Sequence, residues 1–312
     1  MGGEPMDRQP LRTISIHDRP SKVRVEQLAP PPAPLTGFLE RLPRQLAAES
    51  LREVVAAIAA AHRRGRPVVV ALGAHVVKVG CAPILIDLAR RGIVRRFAVH
   101  GASLVHDAEL ALFGHTSEDV ETSLADGTFG MTEETHRFVN LAIAEGAARD
   151  EGAATAVGRA LLAAEAPYRD RSLLAECVRL EVPITAHLAI GTDVVHVHPT
   201  ADGAAMGRAA LADFHRLVEG LADLGNGGVL LNLGSAVILP EVILKAFAVL
   251  RNRGVRLDGF LSVDFDMVRH YRAGKQIVER VGALGGQGLA LTGHHEIMIP
   301  LLAALVLGEL ER

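Results

Sequence analysis

The stretch Pro183–Pro199, PITAHLAIGTDVVHVHP, reads as the carboxyl end of a buried strand. Ile184 and Leu188 bracket Thr185 and His187 in a short apolar run behind a proline, which predicts a strand. The chain then turns through Ile190-Gly191-Thr192-Asp193. A second run, Val194 to His198, reads as extended and stops at Pro199. Strand, glycine turn and polar residues in that order describe the end of a parallel strand, where open α/β sheets bind ligands. His187, Asp193, His196 and His198 are more polar chemistry than a core strand needs.

The same grammar repeats on both sides. Val68–Leu72 is wholly apolar and enters the glycine-flanked turn Gly73-Ala74-His75-Val76-Val77-Lys78-Val79-Gly80, with a helix predicted over Ala82–Arg91. Phe97–Val99 enters His100-Gly101-Ala102-Ser103 and a helix beginning at Leu104. Val229–Leu233 leads to Gly234-Ser235, Phe260–Asp266 is a further strand, and Leu289–Leu291 is the last. Strand, glycine loop and helix in alternation predict an α/β fold: one parallel sheet with helices on both faces. The composition agrees, with 49% apolar residues but only 4% aromatic, so the core is aliphatic, as suits strands buried on both faces.

Residues 37–312 read as a single α/β domain. Residues 1–36 read as an extension that ends in the stiff linker Ala29-Pro30-Pro31-Pro32-Ala33-Pro34. Within it, Thr13–Pro20 fits one short strand. The extension is either a disordered tail or an arm lying across a neighbouring subunit. Phe113 to Arg137 is irregular, read as loop pieces around a short helix, and a segment of that kind in a compact domain is usually functional or an insertion.

A formal net charge of −3 argues against general nucleic-acid binding. No apolar run is long enough to span a membrane, and MGGEPMDRQPLRT lacks a signal-peptide apolar region. Cys81 and Cys177 have no metal spacing and read as buried thiols of a cytoplasmic protein.

Three groups of residues carry candidate chemistry. Helix N-termini behind Gly73, Gly101, Gly191, Gly234 and Gly293 would offer N–H groups to an anion, and the loops also carry His75, His106 with Asp107, and His294 with His295. His196 and His198 fall on one side of an extended segment; with His187 and Asp193 they form a polar substrate or cofactor pocket or a metal site, or are structural histidines satisfied by their neighbours. Asp264 and Asp266 share one side of a strand end, and could bind a cationic substrate or cap the next helix. Arg269 and Arg280 follow them in a cationic loop.

These motifs together resemble deoxyhypusine synthase, the enzyme that moves an aminobutyl group from spermidine to a protein lysine using NAD. Gly73–Gly80 resembles that family's first NAD loop. His100-Gly101-Ala102-Ser103-Leu104-Val105-His106-Asp107 is similar to its second, with His106 where the family carries an acidic cofactor contact. Asp193-Val194-Val195-His196-Val197-His198 resembles the run whose aspartate binds the polyamine. Gly293-His294-His295-Glu296 resembles the final NAD-contacting turn. The resemblance implies a Rossmann-like NAD-binding fold, a small amine-bearing substrate held by Asp193, His196 or His198 as general base, and a homotetramer with sites between subunits.

The family's imine-forming lysine lies in a tryptophan–glycine–lysine motif. This chain has no tryptophan, and the corresponding region reads Val278-Glu279-Arg280-Val281-Gly282. A guanidinium stays protonated and cannot form an imine. Expected is therefore an NAD-dependent, transferase-like enzyme of unassigned reaction. A metal-dependent hydrolase or lyase built on His187, Asp193, His196 and His198 is the alternative, as is a non-catalytic nucleotide-binding protein.

Overall fold

A computed structural model describes residues 12–312; residues 1–11 of the extension lie outside the described residues. The strands are β1 (Ser21–Arg24), β2 (Val68–Leu72), β3 (Arg96–His100), β4 (His115–Glu118), β5 (Ile184–His187), β6 (Val229–Leu233), β7 (Leu261–Asp266) and β8 (Gln287–Thr292). Six of them form one parallel sheet in the order β5-β3-β2-β6-β7-β8. Counted by appearance within that sheet, the order is 3-2-1-4-5-6, the doubly wound Rossmann arrangement.

The apolar runs are continuous because both faces of the sheet are covered. Val68, Val70 and Leu72 point into one core with Val229, Leu231 and Leu233. Val69 and Ala71 point into the other with Leu230, Leu217 and Phe247. Side chains alternate along a strand, so a strand between two helix layers is apolar towards both. Strand β8 closes one edge and is less buried.

The helix predicted over Ala82–Arg91 runs Ala82–Arg90, and further helices span Gly203–Leu221, Ile238–Asn252 and His295–Leu310. The turn after β2 contains a five-residue helix, Ala74–Lys78. From Glu133 the chain forms two helices, Glu133–Ala147 and Ala153–Ala163, separated by a turn in which Asp150 takes φ 55°.

Over its described part the extension packs against its own domain. Strand β1 pairs antiparallel with β4 of the same chain, and Ile14 bridges to Thr132. Ile16 is fully buried. The linker continues along the domain, with the Ala29 N–H donating to Gly80 O and Leu35 N–H to Ala304 O. The strand in the extension is thus Ser21–Arg24 rather than Thr13–Pro20. Among the described residues no helix is long and apolar enough to cross a membrane, and both cysteines are buried and free.

Candidate functional site

The strand order reverses between β2 and β6, which opens a crevice outside their carboxyl ends. Gly73 and Gly234 meet there. A Cβ on Gly73 would lie 2.2 Å from the Gly234 carbonyl oxygen, so the backbones approach as only glycine permits. Gly234 has φ +71°, and a Cβ on it would lie 2.4 Å from His295 Nε2. His295 is buried; its ring lies 5.9 Å from that of His75. Its Nε2 is 3.7 Å from Asp266 Oδ1, and Asp266 is flanked on its other side by His270 at 3.7 Å. Burial holds His75 and His295 below the usual imidazole range. Deeper in the sheet, Asn232 of β6 donates to Asp264 Oδ1 at 2.7 Å, and burial raises the Asp264 carboxyl. His294 stands exposed at the start of the last helix.

A concavity of about 200 Å³ lies over the helix that follows β3. Its floor is the first turns of the helix Gly101–Phe113. Asp193 packs against Gly101, its carboxyl raised to about 6 by burial although the Ala102 N–H donates to it. Asp193 Oδ2 is buried and has no hydrogen-bond partner. His106 lines the same cavity, one turn along that helix. Its Nδ1 lies 2.8 Å from Thr116 Oγ1, whose hydroxyl donates to Glu109. Burial pushes His106 down to about 4. Lys78, at the end of the helix Ala74–Lys78, is also in the wall. His75 and Lys78 are three residues apart and share a helix face, so one short element joins crevice and cavity.

Other expected residues lie elsewhere or face another way. Asp107 is not at the cofactor loop surface. Its buried carboxylate accepts from Leu173 N–H at 2.8 Å, Leu174 N–H at 3.1 Å and the Ser172 hydroxyl, and so caps the helix Leu173–Arg179. The run Val194–Val197 is a 3₁₀ turn, not a strand, so His196 and His198 do not share a side. His196 Nδ1 accepts from the N–H groups of Gly191 and Asp193 at 3.1 and 3.3 Å, closing the turn. His198 is held between Glu133, at 3.0 Å, and Thr200, at 2.7 Å. His187 meets Thr185 at 3.1 Å. His196 stays beside Asp193, its Nε2 3.9 Å from Oδ2, whereas His187 and His198 bind elsewhere, and among the described residues no group of three or more His, Cys, Asp or Glu is placed to hold a metal ion. Arg269 donates outward to Ala290 O and Arg280 to Gln276; both are exposed, away from the Asp193 cavity.

Two buried acids of the cavity escaped the sequence reading. Glu109 sits mid-helix and is fully engaged by Arg19 at 3.0 Å, Thr116 and Thr135. Glu118 ends β4, accepts from Gly130 N–H at 3.1 Å, and leaves Oε2 buried without a partner. For Glu118 the available signal was the irregularity of 113–137.

No family model matches the chain, and no curated protein does. Among solved structures, a conserved putative LOR/SDH protein from Methanococcus maripaludis S2 aligns with TM-score 0.52 and 12% identity, over 91% of this chain and 74% of its own. A putative deoxyhypusine synthase from Entamoeba histolytica aligns with TM-score 0.51 and 8% identity, over 83% of this chain and 87% of its own. The fold is deoxyhypusine synthase-like. AgrE, solved with ornithine and NAD+, aligns with TM-score 0.49 and 17% identity over 84% of this chain; the chain spans 33% of the AgrE length. Within the deoxyhypusine synthase-like fold, the crevice at Gly73 and Gly234 is the topological switch point, and Lys78 of the helix that follows β2 lines the Asp193 cavity.

Proposed function

We propose that this chain is an enzyme that binds NAD at the switch-point crevice and a small amine-bearing substrate in the Asp193 cavity. The observation that carries the reading is the helix Ala74–Lys78, which begins at the switch-point glycine and ends in the cavity wall. A cofactor in the crevice and a substrate in the cavity would therefore be neighbours. Gly73, Ala74, His75, His294 and His295 would hold the cofactor, which supplies a hydride acceptor when bound. Gly101 and Ala102 belong with the substrate instead, because Asp193 already provides the anion at their helix N-terminus.

Asp193 would anchor the substrate cation. Its buried Oδ2 lacks a partner, and a cation there would restore the stability that burial takes from the charged carboxylate. The base is His106 rather than His196 or His198. The hydrogen-bond chain from Nδ1 through Thr116 to Glu109 assigns the proton to Nδ1 and leaves the Nε2 lone pair free. Asp264 and Asp266 stand behind the crevice and orient Asn232 and His295. By its resemblance the working unit is a homotetramer, which light scattering on the purified protein would report.

Thermal-shift titration tests the cofactor. A ligand specific for the native state raises apparent stability by about 2.7 kcal/mol at a hundredfold excess over Kd. NAD or NADH should raise the melting temperature, and His295→Ala should remove the effect. No shift with NAD, NADH or NADP would reject the nucleotide, and NAD binding without turnover of any amine would favour a non-catalytic nucleotide-binding protein.

A further inference from the structure

We infer that the cavity selects a small zwitterion, a cationic group joined by a short chain to a carboxylate, with Glu118 and Asp193 taking the cation and Lys78 the carboxylate. The inference rests on the reading of the Asp193 cavity as the substrate pocket and names what fills it.

The charges in the wall decide the matter. Glu109 is neutralised by Arg19 at 3.0 Å and satisfied by two threonine hydroxyls. Two carboxylates remain. The side chains of Asp193 and Glu118 are 4% and 8% exposed, and each has one oxygen, Oδ2 and Oε2, with no hydrogen-bond partner. Glu118 lies 3.9 Å from the Arg19 guanidinium and Asp193 Oδ2 lies 3.9 Å from His196 Nε2, both too far for a hydrogen bond. Buried carboxylate oxygens without donors are costly, and a ligand bearing several N–H donors, an ammonium or guanidinium, would supply them.

Lys78 is the complementary observation. Lys22, Lys245 and Lys275 each pair with a carboxylate, Asp119, Glu241 and Glu279. Lys78 makes no ion pair among the described residues, although the cavity it lines holds three acids. An ammonium left unpaired beside acids is placed for an anion that the protein itself does not provide. The cavity, about 200 Å³, is smaller than the ~300–1,000 Å³ of ordinary ligand pockets, so the chain between the two charges is short. Val105 and Phe129 give that chain an apolar wall.

Isothermal titration with 6-aminohexanoate, lysine and cadaverine tests this. Cadaverine carries the amines and lacks the carboxylate. The expected result is binding of lysine and 6-aminohexanoate at least about tenfold tighter than cadaverine, a difference of about 1.4 kcal/mol. Lys78→Gln should abolish the difference, Lys78→Arg should restore most of it, and Glu118→Gln should weaken all three ligands. Thermal melts of each variant report whether it is folded. If cadaverine binds as tightly as lysine and Asp193→Asn removes both, the zwitterion inference falls and the cationic substrate pocket stands. If none of the three binds to the folded protein, both fall.

Discussion

The Asp193 carboxylate rests directly on Gly101: a Cβ built there would lie 2.0 Å from Oδ2. A residue from the turn after β5 thus occupies the N-terminus of the helix that follows β3. Gly101→Ala should push Asp193 out of place. Overpacking of this kind costs about 1–3 kcal/mol, so the urea midpoint should fall and amine binding should be lost. A variant with unchanged stability and unchanged amine affinity would mean that the contact is dispensable.

Asp107 should matter for folding and not for ligands. Its carboxylate satisfies two N–H groups and a hydroxyl at the start of the helix Leu173–Arg179. Removing a cap costs about 0.5–2 kcal/mol, and burying the freed donors adds to that. Asp107→Ala should lower stability by about 2 kcal/mol or more while leaving the nucleotide titration of the folded fraction unchanged. Loss of nucleotide binding alone would return Asp107 to the cofactor loop.

Asp213 gives a pH signature. It is fully buried, accepts from the Ala186 N–H at 2.8 Å, and is raised by burial to about 7. A folded-state pKa above the unfolded value means that its contribution is fully present below about pH 4. That contribution is lost as pH rises to about 7, at up to about 1.4 kcal/mol per pH unit. Asp213→Asn removes this titration. The stability of the variant relative to the parent should therefore rise between pH 4 and 7 and level off above. A flat difference across that range would show that Asp213 is ionised at all these pH values.

No imine should form. Lys275 is half-buried and paired with Glu279, outside the cavity, and Arg280 cannot provide a free amine. Lys78 lines the cavity and is the lysine to examine. Borohydride treatment in the presence of spermidine and NAD, followed by peptide mass analysis, should yield no aminobutyl adduct. An adduct on Lys78 would restore imine chemistry with a relocated lysine and overturn its assignment to a substrate carboxylate.

The sheet was legible in the sequence because its physics is local. Strands β2, β5 and β6 fall at their predicted residues; β2 and β6 are legible because strands covered on both faces are mostly apolar and here run straight into Gly73 and Gly234. Strands β1 and β4 were not legible. They are four-residue, largely polar segments, SKVR and HTSE, that pair across a long separation and carry no alternation of their own.

The site divides in the same way. The sequence by itself determined that polar residues would gather at the carboxyl ends of parallel strands, because that is where the loops emerge. It could not rank Asp107 against Asp193, two acids near glycine turns. Only the packing of the helix Leu173–Arg179 turned one into a cap, and only the turn after β5 set the other on Gly101. Nor could it show that Val194–Val197 coils into a 3₁₀ turn despite its β-branched residues. Hydrogen bonds from Gly191 and Asp193 to the His196 ring close that turn. The placement of Glu118 needed the pairing of β1 with β4. Residue type and spacing fix local conformation, whereas a carboxylate's role depends on which donors surround it, and those donors come from distant parts of the chain.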